Sequence, residues 1–320
     1  MSQKIYGFNG RLTENFPSQV MVDITEVCNL GCIHCAHPAF KLSPVYQKSM
    51  LDPELNKKMV DEVFHHGRNF TKYIRYTSNG EPLVHPKSYD MIQYAVINSG
   101  TKVTLTTNGT LLNEKRMKKL LDTGLHMIDI SIDAFHNETY KKVRVGGNLE
   151  ITKKNVLKLL DLKAQSNGGT KIIVSFVEQN QNSNEIELFK KFWSKTGADQ
   201  VLIRKLHTNS GSNSYENNKN KENVRRPCLY PWERVVLTAK GKLSFCPTDW
   251  YGKSEISDYR NTEIRTIWSG EFYKDLRNQH LNSKFKNKFC EKCPDWCNTS
   301  WPKDQNKSYA DLVEKILYNE

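Results

Sequence analysis

Eight cysteines are the residues of this 320-residue chain whose spacing most clearly indicates chemistry. Three lie together as Cys28-x3-Cys32-x2-Cys35, the other five lie in the last third of the chain, and none lies between. The sequence has neither the apolar run of a membrane span nor a secretory signal, so we expect a cytoplasmic protein. In a reducing compartment, cysteines bind metals or react more often than they form disulfides. The spacing therefore predicts two separate metal sites.

The first three thiols follow an apolar stretch that predicts a strand, so they belong on a loop at its carboxyl end. Three thiolates suit an iron–sulfur cube that keeps one iron open for another ligand. A closed zinc site needs a fourth ligand, which His34 or His37 can supply. Spacing alone leaves both interpretations open.

The elements that position these thiols alternate along the first two thirds of the chain. Helix start and stop signals frame three amphipathic segments, 51–66, 88–100 and 113–124. Between and beyond the amphipathic segments, six apolar stretches predict strands: 20–25, 73–77, 102–107, 127–133, 171–177 and 199–206. Alternation of this kind predicts an α/β fold with a parallel sheet, open or rolled into a partial barrel. Active sites of such folds lie at the carboxyl ends of the strands.

Residues 207–227 are rich in asparagine and poor in apolar side chains, which predicts a polar linker or loop. It divides the chain into a core domain, 1–206, and a cysteine-rich domain, 228–320. Within the second domain, 233–247 predicts a β-hairpin and 308–318 predicts a closing amphipathic helix.

Taken with these elements, Cys28-x3-Cys32-x2-Cys35 resembles the signature of the radical S-adenosylmethionine (radical SAM) superfamily, with His34 where an aromatic residue is usual. The resemblance covers residues 20 to about 206 and implies a partial (βα)6 barrel. It also implies a 4Fe-4S cluster whose open iron binds SAM, and an electron donor such as flavodoxin or ferredoxin. Enzymes of this kind cleave SAM reductively to a 5′-deoxyadenosyl radical, which takes a hydrogen atom from the substrate.

A second segment matches the family after the second predicted strand. Ser78 to Pro82 resembles the family's Gly-Gly-Glu-Pro segment, which implies that Asn79, Gly80 and Glu81 receive the ammonium group of SAM. A glycine permits close backbone approach, and a carboxylate accepts charge-assisted hydrogen bonds from an ammonium. A surface turn is the alternative for this segment.

Three later segments also resemble the family. Ser131 and Arg144 correspond to contacts with the SAM ribose and carboxylate, and Asp133 is an alternative ribose contact or a cap of the following helix. The segment 106–109 resembles one that lies near the substrate, although a strand-to-helix turn is an equally good interpretation.

The carboxyl-terminal cysteines form a second set. Two near the hairpin and two from a Cys-x2-Cys knuckle can bind either structural zinc or a closed 4Fe-4S cluster: Cys228, Cys246, Cys290 and Cys293. Beside a radical SAM core, this pattern resembles the SPASM and Twitch auxiliary-cluster domains, of the shorter kind with a single cluster. Cys297 is left over, as an incidental buried thiol, an alternative ligand, or a hydrogen-atom donor of the kind that some radical SAM epimerases use.

The resemblance implies a polar hydroxylated small molecule as substrate, dehydrogenated or epimerised with help from the auxiliary cluster. A peptide or protein modifier is the alternative, disfavoured because only 27 residues precede Cys28 and leave no room for a leader-binding domain. A non-catalytic two-zinc scaffold is a third hypothesis. The formal charge of +12 is spread along the chain, which disfavours nucleic-acid binding and leaves an anionic substrate, such as a phosphate, open.

Overall fold

The computed structural model describes residues 6–77, 79–166, 168–212, 225–301 and 309–318. Its centre is one nine-stranded sheet. The strands are β1 (Gln19–Val22), β2 (Tyr73–Tyr76), β3 (Lys102–Thr107), β4 (Met127–Ser131), β5 (Lys171–Glu178), β6 (Gln200–Lys205), β7 (Arg234–Leu237), β8 (Lys242–Ser244) and β9 (Glu255–Asp258).

Helices cover the sheet and connect its strands. Their bounds are α1 (His37–Lys41), α2 (Pro53–Glu62), α3 (Ser88–Asn98), α4 (Glu114–Asp122), α5 (Asn137–Val143), α6 (Leu149–Gln165), α7 (Ile186–Trp193), α8 (Tyr230–Glu233), α9 (Ile264–Ser269), α10 (Glu271–Asn282), α11 (Lys288–Lys292) and α12 (Tyr309–Tyr318). No helix of the described residues is both long enough and apolar enough to cross a bilayer.

The six predicted strands are all present, and β1 to β6 pair in parallel and in chain order. Their connections contain helices, as parallel neighbours require. Alternate side chains, such as Val20 and Val22, face the helices in the main apolar core. The structure thus confirms the predicted α/β barrel-like sheet.

The predicted hairpin, β7 and β8, extends this sheet instead of forming a separate one. β7 pairs in parallel with β1, with Gln19 opposite Arg234 and Val22 opposite Leu237. β8 and β9 continue antiparallel from β7. The carboxyl-terminal cysteine region is therefore joined to the barrel by backbone hydrogen bonds.

The predicted closing helix, α12, lies against the inner face of the barrel. Val313 is fully buried among Tyr73 and Met127, near the amino ends of their strands. At the start of the helix, the Tyr309 hydroxyl donates to Asp129 Oδ2 at 2.6 Å, and its ring lies under the Arg204 guanidinium. The helix therefore fills the end of the barrel opposite the cysteine loop.

Part of the predicted linker is packed against the rest of the chain. The backbone N–H groups of Thr208 and Ser210 donate to the Asp295 carboxylate, and the Asn209 side chain donates to the His34 carbonyl at 3.2 Å. Residues 207–212 therefore connect the two cysteine regions. The middle of the predicted linker, 213–224, lies outside the described residues.

Candidate active site

The first cysteine loop leaves the carboxyl end of β1 and is held by the segment after α5. The Gly31 N–H donates to the Val145 carbonyl at 2.8 Å, and the Ile33 N–H donates to the Val143 carbonyl at 3.1 Å. These bonds bring the loop and the segment around Arg144 together, although more than a hundred residues separate them.

The three thiols of this loop are close enough to influence one another. Burial, together with the charge of an ionised Cys32, raises the pKa of Cys28 to about 11 and that of Cys35 to about 12. Backbone N–H groups oppose this effect: Leu30 donates to Cys28 Sγ at 3.5 Å and His37 to Cys35 Sγ at 3.4 Å. The three thiols therefore suit a soft metal centre that takes the place of their protons. The amide hydrogen bonds to sulfur would stabilise the thiolates bound to such a cluster.

Arg144 lies beside this loop and is buried. Its Nε donates to Asp133 Oδ2 at 2.8 Å, and the Arg144 charge lowers the pKa of Cys32 against the effect of burial. Asp133 has φ 64°, beyond the end of β4, and its other oxygen accepts from the Val177 N–H at 2.7 Å. Asp133 thus orients Arg144 and does not cap α5, whose cap residue is His136.

His34 is enclosed in the same region, and both of its ring nitrogens lie near other side chains. Burial lowers its pKa to about 4, and its Nδ1 lies 3.2 Å from the Gln179 amide nitrogen. The other ring nitrogen is 3.5 Å from Asp133 Oδ2. The His37 ring nitrogen Nε2 lies 2.9 Å from the Glu26 carbonyl oxygen. Both histidines named as candidate zinc ligands therefore contact other groups.

Gly80 is pressed against the backbone that leads into the cysteine loop. A Cβ atom built there would lie 2.4 Å from the Val27 carbonyl oxygen and 2.6 Å from that of Thr25, so only glycine fits. The next residue, Glu81, donates its N–H to the same Val27 oxygen at 2.9 Å. The predicted segment after β2 is therefore a close neighbour of the cysteines and not a free surface turn.

The Glu81 side chain links the ends of β2 and β3. Oε1 accepts from the Thr107 hydroxyl at 2.6 Å and from the Leu83 N–H at 3.2 Å, and Oε2 accepts from the Asn108 N–H at 2.8 Å. Burial raises the pKa of Glu81, and these three bonds lower it. A carboxylate has about four acceptor positions, so one remains for a ligand.

Ser131 ends β4, on the inner side of the barrel. Its hydroxyl lies 3.3 Å from that of Ser175, which in turn donates to Asp129 Oδ1 at 2.7 Å. Asn79, on the other side of the cysteine loop, donates from its side chain to the Asp249 carbonyl at 3.3 Å. The structure thus distributes the candidate SAM contacts over the ends of β2 and β4 and the segment after α5.

The second set of thiols lines a small cavity beside the hairpin, with about 30 Å³ of space for the centres of water-sized molecules, together with Phe245, His280 and Phe289. Its four thiols are Cys228, Cys246, Cys290 and Cys293. Burial raises the pKa of each thiol, to about 11 for Cys246 and about 12 for Cys290. Across the described residues, no three His, Cys, Asp or Glu side chains surround a single metal ion. The spacing of these four cysteines along the chain fits one closed cluster or one structural zinc ion.

Cys297 is not among the residues that line this cavity. Its thiol is directed toward the Pro294 carbonyl at 3.4 Å and the Asn298 side-chain oxygen at 3.7 Å. These contacts lie within the 3-10 turn Asp295–Asn298, which directly follows the Cys290-x2-Cys293 knuckle.

Another cavity lies between the two cysteine sites and is partly open to solvent, with about 30 Å³ of space for the centres of water-sized molecules. Asn79 and Glu26, from the side of the first loop, line it together with Cys246 and Trp250 from the side of the second. It opens at the carboxyl ends of β1 and β7, where parallel sheets place their active sites. Sequence analysis did not predict this cavity, because its two walls come from segments more than 150 residues apart.

The family model described as the radical SAM superfamily matches residues 22–188, over half of the chain, and the SPASM model, an iron–sulfur cluster-binding domain, matches 228–294. The fold and the thiol sites thus define a radical SAM enzyme with an auxiliary-cluster domain. The chain belongs to the radical SAM superfamily. Its cofactors are SAM and 4Fe-4S clusters.

A curated relative, described as a probable GTP 3′,8-cyclase of Methanococcus maripaludis, is 32% identical over 182 residues. This match covers 57% of each chain, so the chain spans little more than half the length of that relative.

Two solved structures show the same fold. BtrN in complex with AdoMet and 2-DOIA has a TM-score of 0.58 at 17% identity, with 87% of this chain and 92% of BtrN covered. Streptococcus suis SuiB bound to the precursor peptide SuiA has a TM-score of 0.65 at 13% identity, with 87% of this chain and 70% of SuiB covered.

Proposed function

We propose that this radical SAM enzyme dehydrogenates a polar, hydroxylated small molecule that binds in the cavity between the two cysteine sites. The observation that carries this proposal is the shared wall of that cavity: Asn79 belongs to the segment beside the first cysteines, and Cys246 belongs to the second set. A molecule bound there would lie beside Asn79, next to the first site, and beside Cys246 of the second, as a substrate that exchanges a hydrogen atom and an electron requires.

In this proposal Cys28, Cys32 and Cys35 hold the SAM-binding cluster, and a donor of the flavodoxin or ferredoxin type supplies its electron. Glu81 offers its remaining acceptor position to the SAM ammonium, beside the Asn79 and Gly80 backbone. Arg144 uses two N–H groups on Asp133, and a guanidinium has five, so others can receive the SAM carboxylate. Ser131 donates to the ribose.

The auxiliary cluster is assigned to the four thiols of the second cavity. When bound, the two clusters and SAM supply the radical that takes a hydrogen atom and the acceptor that takes an electron. An alcohol carbon that loses one hydrogen atom, one electron and its hydroxyl proton becomes a ketone, and the proton passes to water or to a cavity carboxylate. Apolar contacts around Phe40 and Trp250 exclude water from one side.

Dehydrogenation is favoured over epimerisation by the position of Cys297. Epimerisation needs a hydrogen donor that reaches the substrate, and Cys297 does not line the cavity, whereas Cys246, a proposed ligand, does. A proposed metal ligand is a poor hydrogen donor because its thiolate is bound to iron.

This function is tested with anaerobically reconstituted protein in the presence of SAM and dithionite. The protein is incubated with polyhydroxylated alcohols and, separately, with peptides, and 5′-deoxyadenosine and products are measured by mass spectrometry. We expect a ketone two hydrogen atoms lighter than its alcohol, with no solvent deuterium at the reacting carbon in deuterium oxide. One deuterium there, lost in Cys297→Ala, would instead identify an epimerase.

A peptide substrate is the second candidate, since SuiB, which shares the fold, is described as bound to a precursor peptide. If peptides alone stimulate 5′-deoxyadenosine formation, the small-molecule proposal is wrong.

A further inference from the structure

The loop that carries Cys290 and Cys293 is rich in positive charge. Residues 284–292 contain four exposed lysines, which together form the lysine face: Lys284, Lys286, Lys288 and Lys292. Glu291 is the only acidic residue of this stretch, so its formal charge is +3, from four lysines and one glutamate. Although the charge of +12 is spread along the chain, three of its units lie within these nine residues. The lysine face thus adjoins two proposed ligands of the auxiliary cluster.

Most of this charge is not neutralised by the residues that the structure describes. Lys286 Nζ lies 2.9 Å from Asp275 Oδ1, whereas no carboxylate of the described residues forms an ion pair with the other three lysines. By contrast, four exposed lysines on the helices of the core domain each pair with an acid: Lys118, Lys119, Lys141 and Lys190. The lysine face therefore differs from these other lysine-rich surfaces of the protein, because its charge is available to a partner.

The backbone of the lysine face is fixed to the rest of the second domain. The Lys284 N–H donates to the Gln279 carbonyl at 3.0 Å, and the Lys286 N–H donates to the Gln279 side-chain oxygen at 2.8 Å. The Arg225 guanidinium donates to the Glu291 carbonyl at 2.6 Å. The lysines therefore extend from a segment that is anchored to α10 and to the thiol site, and a partner bound to them would be held beside that site.

An exposed aromatic side chain lies beside the same cavity. Phe272, at the start of α10, is 42% exposed, and its ring centroid lies 5.9 Å from that of Phe245. The ring centroid of Phe245 lies 6.5 Å from that of Phe289, and both residues line the cavity of the four thiols. In protein complexes, charge steers a partner to the surface and apolar contact holds it there. Phe272 can supply this apolar contact next to the lysine face.

We propose that the lysine face is the docking site of an acidic one-electron carrier protein of the flavodoxin type, which removes from the auxiliary cluster the electron that the substrate leaves there. This inference rests on the proposed function and names the partner of its second thiol site. In this step the reduced cluster loses one electron, the oxidised carrier gains it, and no covalent bond forms or breaks. The auxiliary cluster is thereby returned to the oxidised state that the next substrate molecule needs.

A nucleic acid or an anionic membrane is an alternative partner for a surface of this charge. The position of the lysines favours the electron carrier, because the same short loop holds two proposed cluster ligands, Cys290 and Cys293. Electron-transfer complexes also bury little surface, less than about 1,200 Å², and depend on electrostatic steering. Four lysines around one exposed aromatic side chain suit a contact of that size.

Binding of a purified, oxidised flavodoxin to the cluster-loaded protein tests the proposal without turnover. Affinity is measured by titration calorimetry at several salt concentrations. We expect the dissociation constant to rise at least about 10-fold between about 20 and about 200 mM salt, because exposed charges are screened over this range. Lys284→Glu combined with Lys288→Glu should weaken binding about 10-fold to 100-fold at low salt, since it replaces attraction by repulsion. Phe272→Ala should weaken binding at every salt concentration.

Lys154→Glu combined with Lys158→Glu is the matched control. Both lysines are exposed on α6 of the core domain, and the change in charge is the same. The control should bind flavodoxin as the wild type does. Iron content and dithionite-driven 5′-deoxyadenosine formation should be unchanged in both double variants, which shows that the substitutions act on docking and not on the clusters.

Electron transfer is followed separately, by mixing dithionite-reduced, desalted protein with oxidised flavodoxin and recording reduction of the flavin by absorbance. The charge-reversed variant should transfer electrons more slowly than the control at low salt. The inference is overturned if flavodoxin binding does not depend on salt, or if both double variants lose affinity equally. It is also overturned if a single-stranded DNA or a vesicle of phosphatidylserine binds the lysine face more tightly than flavodoxin. Loss of dithionite-driven ketone formation in the wild type would refute the proposed function alone, because binding is measured without substrate.

Discussion

Replacing Gly80 with alanine tests how closely the segment after β2 must approach the cysteine loop. The added Cβ would lie 2.4 Å from the Val27 oxygen, about 1 Å less than the 3.4 Å at which ordinary contact begins. Backbone lies on that side, so the strain cannot be relieved by rotating a side chain. Overpacking of this kind costs about 1–3 kcal/mol.

Because Val27 directly precedes Cys28, a shift of about 1 Å also moves the first thiol. Misplacement by that distance can reduce a rate by about 100-fold, so 5′-deoxyadenosine formation should fall on that order. The melting temperature of the metal-free protein should fall by about 2–6 °C. Both are measured on the same preparation, by calorimetry and by quantifying 5′-deoxyadenosine.

Gly169→Ala is the matched control, because nothing lies within 4 Å of a Cβ atom built at Gly169. It should change stability by less than about 0.5 kcal/mol and leave the rate unchanged. If Gly80→Ala kept both the wild-type melting temperature and the wild-type rate, the close approach described at Gly80 would be wrong.

Three further predictions concern the thiols, the Arg144 ion pair and α12. Replacing Cys28, Cys32 and Cys35 with alanine should abolish 5′-deoxyadenosine formation yet leave about four irons per chain, the content of one 4Fe-4S cube. If this variant contained zinc instead of iron, the assignment of a second iron–sulfur cluster would be wrong. Arg144→Met leaves Asp133 buried and unpaired and should cost about 3–5 kcal/mol in chemical unfolding, partly recovered by adding Asp133→Asn; a loss below about 1 kcal/mol would refute this. Burial raises the pKa of Glu314 on α12 to about 7, so the folded state binds more protons than the unfolded state. Its contribution to stability is therefore present below about pH 4.5 and lost as the pH rises to about 7. Glu314→Gln should thus gain up to about 3 kcal/mol over the wild type across that range, and parallel curves would exclude the effect.

Local patterns were sufficient to predict the barrel strands, because each buried strand alternates or is continuously apolar. The predicted ends of these strands were less accurate. The stretch 20–25 pairs in the barrel only to Val22, since Asp23 turns toward β7, and 127–133 ends at Ser131 because Asp133 adopts a left-handed conformation. β9 was missed, because its four residues are mostly polar and half-exposed.

Long-range arrangement could not be predicted. No local pattern indicates that β7 pairs with β1, since pairing depends on which surfaces meet after folding. The cavity between the cysteine sites was missed for the same reason, because Asn79 and Cys246 belong to distant segments. Of the candidate site, the clustered cysteines were evident from spacing, whereas the partners of Arg144 and Glu81 were not.

The pairing of β7 with β1 has a consequence for electron movement. The loop of Cys28 leaves the end of β1, and Cys246 lies two residues beyond β8, which is hydrogen-bonded to β7. The strands that carry the two thiol sites thus belong to one sheet with a single strand, β7, between them, which sets them roughly 10 Å apart at about 4.8 Å per strand spacing. Tunnelling rates fall steeply with distance, so a rigid separation keeps electron transfer between the sites insensitive to hinge motion. We therefore expect the rate of electron transfer between the two sites to be independent of viscosity and ionic strength, because the sheet holds the distance between them constant.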